Sequence, residues 1–415
     1  MREMKDSGLP WAGDIPQYWN IAKGKHFMAV LERPVRDDDN VITCFRNGEV
    51  TLRSNRREDG FTVATVEAGY QGIEPGDLVV HGMDGFAGAI GISDSRGKGT
   101  PALNVLSCSE NKKYIMYLLR AMAYTEVFMA LSTGIRVRTC DTNWKKLKSL
   151  DYLIPPADEQ QCIADFLDAK CAEIDALVAD IQSQIDTLEQ YKRSVITETV
   201  TKGLNPNAEM KDSGIQWIGD MPAHWNVIRG KYILHYMQKP VREDDGVITC
   251  FRDGEVTLRS NRREDGFTMS DKEIGYQGID VGDLVVHGMD GFAGSIGISD
   301  SRGKASPVLN VLDTDQCKRY IMYYLRSMAY SDVFLALATG IRVRSCDLRW
   351  NKLAELSYPV PPLDEQNAIV KHIDSVLSKA DAVIADKKAQ LATLDEYKKS
   401  LIFEYVTGKK EVPAS

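Results

Sequence analysis

The chain is written twice. Met4, Trp11, Trp19, His81, Thr133, Trp144 and Tyr191 each recur 206 positions later, as Met210, Trp217, Trp225, His287, Thr339, Trp350 and Tyr397. No insertion or deletion breaks that register from Met4 to about Gly408. Solenoid repeats have periods of roughly 20–50 residues, so this spacing means a duplicated domain and not a stacked array. At 415 residues the chain is also too long for one ordinary core.

Within each unit the texture changes once. Residues 20–157 hold short apolar runs such as GDLVVHG (76–82) and AIGIS (89–93), punctuated by Gly, Pro, Asn and Asp. They predict a mixed α/β (α+β) domain, with a helix over YIMYLLRAMAYTEVFMAL (114–131). Beyond Pro155-Pro156, the segment from Asp158 to about Val200 contains neither Gly nor Pro. Its apolar positions Leu167, Cys171, Ile174, Val178, Ile181, Ile185 and Leu188, with Val195 one heptad further, alternate steps of four and three. That is one coiled-coil seam. The second copy shows Ile373, Leu377, Ala380, Ile384, Leu391, Leu394 and Leu401, interrupted by Lys387 and Lys398.

A long helix with a single apolar seam is unstable alone in water. The two are therefore expected to pair as an antiparallel coiled coil separating two α/β domains in a pseudo-two-fold arrangement. The expected division is 1–157 for the first domain, 158–203 for the first long helix, 204–363 for the second domain, and 364–415 for the second long helix with its tail.

The copies have not drifted evenly. Ile42–Phe61 and Ile248–Phe267 match at 19 of 20 positions, whereas Cys162–Asp186 and Ala368–Ala392 match at 7 of 25. Two helices that pack on each other need complementary faces. Two domains that read the same object need the same surface. Charge follows that division: residues 158–202 carry 10 acidic and 4 basic side chains, residues 1–157 carry 19 and 20, and residues 203–363 carry 21 and 19. Much of the net charge of −8 thus lies on the first helix and argues little against a polyanionic partner.

The conserved block contains TLRSNRREDGF, at 51–61 and 257–267. Arg53, Ser54, Asn55, Arg56 and Arg57, repeated as Arg259, Ser260, Asn261, Arg262 and Arg263, combine side chains suited to duplex DNA: Arg for guanine, Asn for adenine, Ser and spare Arg for phosphates. A solvated turn in which Arg57 pairs with Glu58 or Asp59 is the plain alternative. A second cluster, TGIRVR, places Arg136 and Arg138, and again Arg342 and Arg344, on one side of any strand, as phosphate contacts or as a surface strand facing acidic neighbours. His81 and His287 lack partners at metal-ligand spacing, so no metal site is expected. The cysteines lack C-x-x-C pairs, and four of the eight (Cys108, Cys162, Cys171, Cys317) have no counterpart in the other copy. They read as buried thiols.

Catalytic motifs are missing. GISDSRGKG (91–99) has five residues between Gly91 and Gly97 and Gly99 where a phosphate-binding loop needs a hydroxyl, and FAGAIG (86–91) reads as a glycine hairpin. No nucleophile elbow or H-E-x-x-H occurs, so no chemistry is expected on this chain. No run of about 18 uncharged apolar residues is present to cross a membrane, and MREMKDSGLPW is no signal peptide, which predicts a cytoplasmic protein.

MKDSGLPWAGDIPQYW (4–19) and MKDSGIQWIGDMPAHW (210–225), with IPPADEQ (154–160) and VPPLDEQ (360–366), resemble the paired signatures of one family, the specificity (S) subunits of type I restriction-modification enzymes. The likeness spans essentially the whole chain. It implies that the two α/β units are target recognition domains, that the helices are spacers, and that the chain binds a bipartite sequence in double-stranded DNA. It further implies two methyltransferase (M) subunits acting on adenine N6, and restriction (R) subunits that cleave DNA. S-adenosylmethionine, ATP and Mg²⁺ would then reside on those partners, with no cofactor on this chain. Two near-identical recognition domains imply a near-palindromic target. A duplicated protein-binding scaffold without nucleic acid is the main alternative; an endonuclease or methyltransferase acting alone lacks its motifs.

Overall fold

The computed structural model describes residues 2–56, 68–130, 142–262, 274–336 and 348–413. The chain forms two compact units, Met1–Ile181 with Lys388–Ser415, and Gln182–Lys387. Two continuous helices, Ala157–Lys202 and Leu363–Val406, dominate the chain, and the division between the units falls inside both. Each unit therefore contains one α/β domain, the first half of the helix that follows it, and the second half of the other helix.

The α/β domain of the first unit is built on a four-stranded antiparallel sheet ordered Met28–Val30, Leu103–Cys108, Leu78–His81, Ile90–Ile92. Side chains alternate across it. Leu78, Val80 and Leu106 face a core shared with the helix Lys112–Tyr124, and Val79, Leu103 and Val105 face a second core with Ile42, Cys44, Val50 and Ile73. The second unit repeats this with His235–Tyr236, Leu309–Asp313, Leu284–His287 and Ile296–Ile298 under the helix Lys318–Tyr330.

The P-P-x-x-E-Q signature has a mechanical reason. Pro155 and Pro156 block helix on their N-terminal side, and the buried amide of Gln160 then locks the lead-in. Its Oε1 accepts from Asn111 N–H at 3.0 Å, and its Nε2 donates to Pro155 O at 2.9 Å and Glu110 Oε2 at 2.7 Å. Gln366 repeats this with Cys317 N–H, Pro361 O and Gln316 Oε1. The neighbouring Glu159 accepts the Trp19 indole N–H at 3.0 Å, which ties the helix start to the chain's opening motif. In the second unit Glu365 instead meets His224 Nε2 at 2.7 Å.

Within each unit the two helices run antiparallel. In the first, Phe166 packs on Tyr405 at 4.5 Å between ring centroids and Asp175 meets Lys398 Nζ at 2.6 Å, so positions rise on one helix as they fall on the other. In the second, Gln184 pairs with Lys387 and Lys192 pairs with Asp381 at 2.6 Å. The lysines that interrupt the apolar seam are thus latched to polar groups on the facing helix.

Three expectations need correction. The helix expected over 114–131 stops at Tyr124, because Glu126 adopts a left-handed backbone (φ 59°), and a single further turn, Val127–Ala130, follows. The heptad does not continue to Val195; Ile196 and Val200 are buried instead, where they join the core of the second unit. Cys162 is exposed, on the outer face of the first helical turns opposite Ile163 and Ala164. No helix among the described residues is long and apolar enough to cross a membrane.

The buried hydroxyl of Tyr114 lies 3.0 Å from Leu153 O and 3.2 Å from Val406 O, joining the strand before the first long helix to the last turn of the second. Tyr320 repeats this with Pro359 O and Val200 O. Tyr114→Phe should lower unfolding free energy by about 1–3 kcal/mol, since it strips two buried carbonyls of their donor; chemical denaturation followed by tryptophan fluorescence checks it.

Candidate nucleic-acid interface

The arginine segment continues a β-hairpin on the sheet face opposite the helix Lys112–Tyr124. Strands Ile42–Cys44 and Val50–Leu52 pair with Ile42 opposite Leu52 and Cys44 opposite Val50, and Phe45 N–H donates to Glu49 O at 2.8 Å across the turn. Arg53–Asn55 then form a short 3-10 turn. The copy at Ile248–Cys250 and Val256–Leu258, followed by Arg259–Asn261, has the same form.

Glycine lets this hairpin lie on the sheet. A Cβ on Gly91 would stand 1.9 Å from Gly48 O, and one on Gly297 would stand 1.9 Å from Gly254 O, closer than any side chain permits. Beneath the first turn lies Arg120, only 8% exposed, whose Nε donates to Ile90 O at 2.8 Å. Its counterpart Arg326 donates to Asp253 O at 2.7 Å and to the Tyr330 hydroxyl at 2.8 Å.

The four leading residues of each segment are brought together, and the two arginines and the asparagine of each are engaged within the domain. Arg53 Nε donates to Thr43 Oγ1 at 3.2 Å, and the Asn55 amide donates to Thr51 Oγ1 at 2.7 Å. Arg259 and Asn261 do the same with Thr249 and Thr257. Ser54 and Ser260 are exposed. The Asn55 amide thus has one of its two N–H donors engaged by Thr51 and is held in one orientation. Arg56 is exposed, with its guanidinium 4.5 Å over the Phe45 ring and 3.1 Å from Glu49. Arg262 lies 4.2 Å over Phe251, 2.7 Å from Asp253 and 3.0 Å from Glu255. These ion pairs fall across the hairpin; the pairing of Arg57 with Glu58 or Asp59 lies outside the described residues. Arg57, Arg136, Arg138, Arg263, Arg342 and Arg344 lie outside the described residues.

Sequence reasoning missed Arg46 and Arg252. Both project from the hairpin turn, Arg46 to within 2.8 Å of Asp84 and Arg252 to within 3.1 Å of Asp290. The available signal was their place in the conserved block, two residues beyond Cys44 and Cys250. Asp84 is itself positioned by His81, whose Nδ1 accepts the N–H groups of Met83 at 3.2 Å and Asp84 at 3.0 Å. His81 thus acts as a neutral acceptor in a turn, and burial lowers its pKa below the ordinary imidazole value. Burial also pushes the Cys44 and Cys250 thiols up to about 12, so neither is a thiolate ligand or nucleophile. Among the described residues no cluster of His, Cys, Asp and Glu is arranged to hold a metal ion.

Gly91→Ala should lift the hairpin from the sheet and lower stability by about 1–3 kcal/mol or more, with hydrogen exchange at Phe45–Leu52 accelerating before that of Lys112–Tyr124; equal acceleration of both would contradict this seating.

No family model matches the chain. A Methanocaldococcus jannaschii protein assigned as the type I restriction enzyme MjaX specificity subunit is 24% identical over 444 residues, covering 96% of this chain and 95% of that protein. The type I restriction enzyme StySPI specificity subunit of Salmonella potsdam is 19% identical, covering 96% and 90%. A solved structure, titled as the basis of complex assembly and conformational transition of the type I R-M system, superposes with a TM-score of 0.65 at 12% identity, covering 95% of this chain and 99% of that one. With its opening and helix lead-in motifs each built into the fold twice, the chain is similar over nearly its whole length to proteins named as type I restriction enzyme specificity subunits, and it shares the fold of the superposed structure.

Proposed function

We propose that this chain is the non-catalytic, DNA-reading subunit of a type I restriction-modification assembly, and that its two domains read half-sites of nearly the same sequence. The observation that carries this reading is the hairpin of Ile42–Leu52 with its arginine turn, present twice with the same partners and with 19 of 20 residues identical. Arg53–Arg57 and Arg259–Arg263 contact the duplex, with Arg46 and Arg252 beside them. Arg136, Arg138, Arg342 and Arg344 contribute phosphate contacts. Two nearly identical reading surfaces call for two half-sites of nearly the same sequence, and we take the target to be an interrupted palindrome.

The cations of the hairpin are paired with carboxylates in the free protein. DNA binding on this reading is an exchange of carboxylate for phosphate or guanine, which keeps non-specific affinity modest and makes binding salt-dependent. The chain recruits two methyltransferase subunits, which carry S-adenosylmethionine, and restriction subunits, which use ATP and Mg²⁺. Mapping methylated adenines genome-wide in cells that also express those partners should return half-site, fixed gap, reverse-complement half-site. The Arg56→Ala, Arg262→Ala double variant should relax one position in each half, at about 1–3 kcal/mol per lost bidentate contact. Two unrelated half-sites would defeat the reading.

A further inference from the structure

Across the block Ile42–Phe61 and Ile248–Phe267 the copies differ at one position, Asn47 against Asp253. Both residues shape the turn alike: Asn47 Oδ1 accepts Glu49 N–H at 3.2 Å, and Asp253 Oδ1 accepts Glu255 N–H at 3.1 Å. Toward the neighbouring arginine they differ. Arg56 Nη1 is 3.4 Å from the neutral amide oxygen of Asn47 and 3.1 Å from Glu49. Arg262 Nη1 is 2.7 Å from the Asp253 carboxylate and 3.0 Å from Glu255. The aromatic support is nearly equal, at 4.5 and 4.2 Å. Among the described residues one carboxylate therefore holds Arg56, and two hold Arg262.

We infer that the two DNA-reading hairpins are unequal, with Asp253 acting as a built-in restraint on Arg262 that weakens the second hairpin's hold on duplex DNA. The inference rests on the reading given under Proposed function. A guanidinium donor spent on a carboxylate is not offered to a base edge or phosphate, and Arg262 must release one more anion than Arg56 before it binds. An exposed arginine–carboxylate pair of this kind alters an equilibrium by about two- to fivefold. Asp253 is thus a positioning residue: it sets how readily Arg262 swings outward and does not itself touch the nucleic acid.

The full chain, assembled with its methyltransferase subunits, is mixed with a pool of duplexes of randomised interior, the bound fraction is sequenced, and the best-enriched duplex is titrated. Asp253→Asn should tighten binding about two- to fivefold, Asn47→Asp should loosen it by a similar factor, and the double swap should return wild-type affinity. Each substitution installs the residue that the other copy already carries, so the hairpin tolerates it. In an Arg262→Ala background the gain from Asp253→Asn should vanish. An inert or weakening Asp253→Asn, or a gain that persists without Arg262, overturns the restraint. If Arg56→Ala and Arg262→Ala themselves bind the pool as tightly as wild type, the DNA-reading role of these segments fails; if they lose binding while the swaps are inert, only the inequality fails.

Discussion

Each domain core is closed by the last turns of one of the two long helices. In the first unit Leu401, Ile402, Tyr405 and Val406 are buried in the same core as Trp19, Tyr114 and Leu119, and the Tyr114 hydroxyl reaches Val406 O. In the second unit Ile196 and Val200 fill the equivalent place beside Trp225 and Tyr320, and the Tyr320 hydroxyl reaches Val200 O. Burying an aliphatic side chain of this size contributes about 1.5–3 kcal/mol, so a few such residues amount to a large part of a domain's net stability. The first domain thus depends on the chain returning through some 250 residues of sequence. Register is specified by charge: Asp175 with Lys398, and Asp381 with Lys192, are the same pair of repeat positions used once in each unit. A polar latch in an otherwise apolar seam is how coiled coils choose one alignment over its neighbours.

On that frame the hairpin Ile42–Leu52 is held from beneath by a glycine contact and a buried arginine, while its exposed cations are tethered to carboxylates of the same domain. The tethers hold long side chains in place before any ligand arrives, which lowers the entropy lost on binding. They also mask positive charge. A surface of this kind discriminates, because only a ligand that offers well-placed acceptors repays the loss of the internal pairs.

Much of this was legible in the sequence. The 206-residue register gives two equal domains, and the four-three spacing from Leu167 to Leu188 gives the paired helices, because both are patterns that local physics imposes directly. What sequence reasoning missed depends on tertiary partners. Val195 follows the heptad, yet Ile196 is buried because beyond Ile185 the helix packs on a domain as well as on a helix. Glu126 looks like a helix former and instead turns the chain left-handed. Arg46 becomes notable only when the fold brings Asp84 to it, and the orientation of the Asn55 amide is set only when Thr51 is placed beside it.

The dependence of the first core on the returning helix is open to direct measurement. Hydrogen exchange can be compared between the full chain and a chain ending at Ser400, peptide by peptide. Leu78–His81 and Lys112–Tyr124 should lose most of their protection while Leu284–His287 and Lys318–Tyr330 keep theirs. Undiminished protection of Lys112–Tyr124 in the shortened chain would contradict it.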